Sequence, residues 1–194
     1  MPKSNVKIII IPGIFKREGL LNQFKLYCDK QNIDAEFFRI KWLAEGIYKA
    51  NEKELLQKIN DYSSEYSKIY LIGTSAGGSV AVNAFLKSNG LVSKVVCICA
   101  PLKEEGFTLA LGELISDKFK DSLSIAVRSL RLLDKRQKEK ILAFIPKYDE
   151  LVPLQSMKFS GIRYKQIDSS EHLLSIAKVI NNEIPVIASF LDLK

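Results

Sequence analysis

Ile69-Tyr-Leu-Ile-Gly-Thr-Ser-Ala-Gly-Gly78 decides how this chain reads, because an apolar run feeds straight into Gly73-Thr74-Ser75-Ala76-Gly77, the spacing G-x-S-x-G. A serine on a sharp strand-to-helix turn needs that spacing for steric reasons. The positions two before and two after it crowd neighbouring backbone, and glycine fits there best. Ser75 is thereby a candidate nucleophile, with Gly73 and Gly77 forming the elbow. The same pentapeptide also occurs in ordinary glycine-rich turns, so its surroundings decide. Ser67-Lys-Ile-Tyr-Leu-Ile72 before it reads as a strand, and Ser79-Val-Ala-Val-Asn-Ala-Phe-Leu-Lys87 after it as a helix closed by Asn89-Gly90. A phosphate-binding loop would need a Lys-Ser/Thr pair after the glycines, and none follows.

Working outward, Val6-Lys-Ile-Ile-Ile-Ile11 is almost wholly apolar, as a central parallel strand covered on both faces should be, and it stops at Pro12-Gly13. Leu20, Leu21, Phe24, Tyr27 and Cys28 recur with helical spacing. Residues 34–42 predict a second strand. Asn51, with Glu54 three residues on, resembles a capping box that opens a helix carrying Leu55, Leu56, Ile59 and Tyr62. Further strands are predicted over 93–100, 140–145 and 161–167, and a closing helix capped near Asn182 with Pro185 in its first turn. This alternation implies a parallel sheet with right-handed crossovers. Residues 103–139 interrupt it. They predict two or three short helices, one of them the crossover, the rest a small lid or ordinary helix packing.

The 194 residues, 47% of them hydrophobic, suit one domain spanning 1–194. Three cysteines form an odd number without framework spacing, which points to free thiols and a reducing compartment. Cys97 and Cys99 alternate along an apolar strand and read as core rather than metal ligands; no metal or cofactor is expected. The apolar run near Met1 is too short for a secretory leader or a membrane span, so a cytoplasmic location is expected. The net charge of +7 comes from scattered lysines without a nucleic-acid module, so no nucleic-acid partner is expected. Weak contact with an anionic membrane or substrate stays open, as does the oligomeric state.

A serine hydroxyl needs a neighbouring base, and the chain has one histidine, His172, just beyond the last predicted strand. Parallel strands bring their C-terminal ends to one edge, so His172 and Ser75 emerge on the same side. An imidazole also needs a carboxylate to fix its tautomer. Asp149, after the fifth strand, is favoured for this, with Glu150 and Asp168 as rivals. The chain order is then Ser75, Asp149, His172.

From Lys7-Ile-Ile-Ile-Ile-Pro-Gly-Ile14 through Gly73-Thr-Ser-Ala-Gly77 and Asp149-Glu-Leu-Val-Pro153 to Glu171-His172, the chain resembles a compact serine esterase of the α/β-hydrolase superfamily. The resemblance implies a three-layer α/β/α sandwich. Its six-stranded sheet would be all parallel, in order 2-1-3-4-5-6, without the antiparallel hairpin of larger members. It also implies Ser75 as nucleophile, His172 as general base and then acid, and Asp149 as orienting acid. The oxyanion hole would use the backbone N–H of Ala76 and that of Ile14, with Phe15 as the alternative. The family often has histidine where Pro12 stands. The implied activity is hydrolysis of a small-molecule carboxylic ester or thioester through an acyl-enzyme. A non-catalytic interaction module, or a lipase or peptidase with the same triad, are the alternatives.

Overall fold

Alternating apolar strands and amphipathic helices fold here as their hydrophobic pattern requires. The computed structural model describes residues 5–14, 18–42, 47–103, 124, 127, 128 and 130–193. Its strands are β1 (Val6–Ile11), β2 (Asp34–Phe37), β3 (Lys68–Thr74), β4 (Val92–Ile98), β5 (Ile141–Pro146) and β6 (Arg163–Ile167). They form one six-stranded sheet in the order β2-β1-β3-β4-β5-β6, and every neighbouring pair is parallel. The expected topology therefore holds. Central strands are buried on both faces: Ile8, Ile9, Leu71, Val95, Val96 and Ile141 are among the residues with no exposed surface. That is why they read as continuous apolar runs rather than alternating ones.

The described residues include the helices α1 (Glu18–Lys30), α2 (Ile47–Ser63), α3 (Ala76–Lys87), α4 (Lys135–Lys138), α5 (Leu154–Met157), α6 (His172–Asn182) and α7 (Ile184–Phe190). α1 packs against α6, and α2 against α3. No single described helix is long and apolar enough to cross a membrane.

Four expectations change. The second strand is shorter than predicted, ending at Phe37 rather than Trp42. Its ladder ends with the Phe38 N–H on Ile10 O, because Pro12 has no N–H to extend β1. Phe38, Ile40 and Trp42 are nevertheless buried, so their alternation reflects packing beyond the sheet. Asn51 is not a cap: α2 begins a turn earlier, and Asn51 is buried within it. α6 was not anticipated as a helix, although Ile176, Val179 and Ile180 have helical spacing and are buried. Asn182 ends α6 rather than capping the last helix; Glu183 precedes α7, and Pro185 occupies its first turn as expected.

The predicted lid falls mostly on residues outside those described. What is described of 103–139 includes Val127, Leu130 and Leu133, all buried in the core. It also includes α4, whose capping box pairs the Asp134 carboxylate with the Gln137 N–H at 2.7 Å.

The end of the sheet remote from Ser75 is held by a charged cluster. Lys7 is 4% exposed. Its Nζ lies 3.0 Å from Asp34 and 3.4 Å from Glu36, and 4.3 Å from the Tyr62 ring. Tyr62 donates to Glu36 and Tyr66 to Asp34, so each carboxylate has both a cation and a phenol. The bond to Asp34, with burial second, pushes the Tyr66 phenol up to about 12. A group whose folded-state pKa is raised stabilises the fold while it stays protonated. This contribution is complete below about pH 10 and is lost as the pH rises through about 12. In Asp34→Asn, ultraviolet absorbance titration is expected to show one tyrosine moving back toward about 10, with alkaline unfolding setting in earlier.

Candidate active site

The elbow follows from the end of β3. A Cβ on Gly73 would lie 2.4 Å from both Gly77 O and Gly78 Cα, and one on Gly77 would lie 2.1 Å from Ile11 O. Backbone occupies both places, so neither position admits a side chain, and the predicted glycines stand where the turn is tightest. Ser75 takes φ 51° and ψ −134°, a region that costs a non-glycine residue about 1–3 kcal/mol. Its N–H donates to Ile98 O at 2.8 Å, so the end of β4 helps to hold the strain. Ser75 occupies the N-cap position of α3, yet its hydroxyl makes no capping bond. A serine there normally satisfies a helix N–H. Here the backbone turns the side chain away.

Ser75 lines a small cleft of about 20 Å³ with Pro12, Gly13, Ile14, Leu20, Leu21, Thr74, His172, Leu173 and Ile176. The Gly13 N–H donates to Thr74 Oγ1 at 3.3 Å, tying the loop after β1 to the elbow. Ile14 faces the same cleft. Ala76 is the first residue of α3, so its N–H has no acceptor within the helix. The alternative Phe15 lies outside the described residues.

His172 opens α6, and its ring is buried. Its Nδ1 is 2.7 Å from Asp149 Oδ2. The other oxygen, Oδ1, accepts the N–H groups of Leu151 at 2.9 Å and Val152 at 2.7 Å, which locks the carboxylate in orientation. The structure thus brings Asp149 to His172, and His172 to the cleft that Ser75 lines. Ser75 and His172 are not hydrogen-bonded to each other in this structure. Such bonds are often long before substrate binds.

The rivals are placed elsewhere. Asp168 is exposed and pairs with Lys147 at 2.9 Å, which, ahead of its charge, lowers the Asp168 pKa. Glu150 does not reach the imidazole; its Oε2 accepts the backbone N–H of His172 at 2.8 Å. Sequence reasoning missed that contact and the Thr74 hydroxyl. The one available sign was a second carboxylate beside Asp149. Cys97 and Cys99 are buried free thiols, as read from their alternation. Burial, and then Asp149 and Glu150, push the Cys99 thiol well up from its ordinary value.

No protein-family model matches the chain, and no curated protein matches its sequence. Its fold does match solved structures. A structure from work on LipS and LipT, two metagenome-derived lipolytic enzymes, superposes with a TM-score of 0.73 at 12% identity, covering 98% of this chain and 94% of that one. Est1E from Butyrivibrio proteoclasticus with ferulic acid bound gives 0.70 at 13% identity, over 100% and 92%. A lipase-esterase related protein from Clostridium acetobutylicum gives 0.67 at 16% identity, over 97% and 95%. At these identities the likeness defines the architecture: the chain has the α/β-hydrolase fold.

Because strain is specific to side chains with a Cβ, Ser75→Gly is expected to be more stable than Ser75→Ala by about 1 kcal/mol in urea unfolding, reversing the usual order within structured segments. Gly77→Ala should lower stability by about 3 kcal/mol or more, because the obstacle is the β1 backbone rather than a movable side chain.

Proposed function

We propose that the protein is a serine hydrolase that cleaves a small carboxylic ester or thioester through an acyl-enzyme on Ser75. The observation that carries this reading is the strained Ser75, facing one cleft with an imidazole whose Nδ1 is held by Asp149. The esterase and lipolytic names of several structural neighbours, one with ferulic acid bound, support an ester substrate.

Asp149 keeps the proton on Nδ1 and leaves Nε2 as the base. Ser75 Oγ attacks the acyl carbon while its proton passes to Nε2. The Ala76 and Ile14 N–H groups then stabilise the oxyanion, each worth about 10²–10³ in turnover. Collapse breaks the bond to the alkoxide or thiolate, which leaves with the proton from His172. Water, deprotonated by the same nitrogen, attacks the acyl-enzyme and releases the acid and the free serine.

The absence of a Ser75–His172 bond favours one alternative, a non-catalytic interaction module with the same fold. Labelling separates the two. A fluorophosphonate probe is expected to label the wild type and not Ser75→Ala; no labelling of the wild type would support the module. p-Nitrophenyl acetate should be hydrolysed by the wild type. Ser75→Ala and His172→Ala should each lose about 10³-fold or more.

A further inference from the structure

Two consecutive carboxylates after β5 hold the same residue from two sides. Asp149 takes the His172 ring, and Glu150 takes the His172 main-chain N–H at 2.8 Å. The turn that separates them is built by Asp149 itself: Oδ1 accepts from Leu151 and Val152, which folds the loop back and leaves Glu150 facing the start of α6.

α6 lacks a cap of its own. Glu171, at its N-cap position, makes no side-chain capping bond, and no acidic residue lies in its first turn. The first N–H groups of a helix have no internal acceptor and carry its positive dipole end, so an external carboxylate is favoured there both as acceptor and as charge. Glu150 supplies it from another element. The consequence reaches the ring. His172 is the first residue of α6, where helices fray most readily, and a slip of one residue moves a side chain by about 1.5 Å along the axis and about 100° around it. A misplacement of about 1 Å in a reacting group is enough to cost about 10²-fold in rate.

We infer that Glu150 is a positioning residue: by pinning the main chain of His172 it sets the imidazole between Asp149 and Ser75. The kinetic part of this inference rests on the hydrolase reading; the structural part does not. His172 is the only histidine, so its ring-nitrogen chemical shifts report the imidazole without ambiguity. The full chain is compared as wild type, Glu150→Ala and Glu150→Gln. Glu150 is exposed, and thermal unfolding checks that each variant remains folded.

In the wild type the ring shifts should show one tautomer, protonated at Nδ1. In Glu150→Ala they should move toward a mixture, and kcat for p-nitrophenyl acetate should fall about fivefold with KM changed less than twofold. Glu150→Gln keeps an acceptor oxygen and should restore most of both. Wild-type shifts and kcat in Glu150→Ala would overturn the inference, as would equal loss in both variants, since the hydrogen bond would then not be the cause. If no ester is turned over by the wild type, the hydrolase reading falls, while the tautomer shift alone still decides the role of Glu150.

Discussion

The approach of α3 to β1 is the constraint on which the rest of the molecule depends. At Gly77 the helix backbone lies so close under Ile11 that even one added carbon would sit 2.1 Å from the carbonyl oxygen. This closeness lets α3 begin immediately after β3, with Ser75 as the single residue between them, and it forces that residue to φ 51°. The strain is borne by neighbours: β4 accepts the Ser75 N–H, and the Ser79 hydroxyl ties α3 to Pro101 beyond β4. A loosely packed elbow would relax, and the serine would turn back to cap its own helix.

Parallel pairing then gathers the other groups. Because every strand runs the same way, the loops after β1, β3 and β5 and the residues after β6 emerge on one edge. Pro12-Gly13-Ile14, Ser75, Asp149 and His172 come from four separate stretches and meet there. The remote edge is organised by a different interaction, the half-buried cluster of Lys7, Asp34, Glu36, Tyr62 and Tyr66. Asp149 joins the two scales of organisation on the site edge. One oxygen fixes its own loop and the other fixes the imidazole, so a shift in that loop is transmitted directly to His172.

Much of this was legible in the chain itself. A buried strand must be apolar throughout, so β1, β3, β4 and β5 announced themselves and their alternation with helices fixed the topology. The glycines around Ser75 carried the elbow, because only absent side chains permit its turn. The strand ends placed Ser75, His172 and three candidate acids, Asp149, Glu150 and Asp168, on one edge. Other features lay beyond local pattern. The end of β2 depends on where β1 stops, the burial of Asn51 on where α2 starts, and the helix carrying His172 opens without a side-chain cap of its own to mark its start. The role of Glu150 depends on the direction of a carboxylate, which no spacing records.

By itself, then, the sequence determined the periodicities, the steric demand for glycine at 73 and 77, and the inventory of one elbow serine, one histidine and three candidate acids, because these are properties of residue types and their neighbours along the chain. Only the tertiary structure decided which of three acids meets His172, which one holds its backbone, and which residues share a cleft with Ser75. Those outcomes are distances between groups far apart in sequence, fixed by the register of strands and the packing of helices on them.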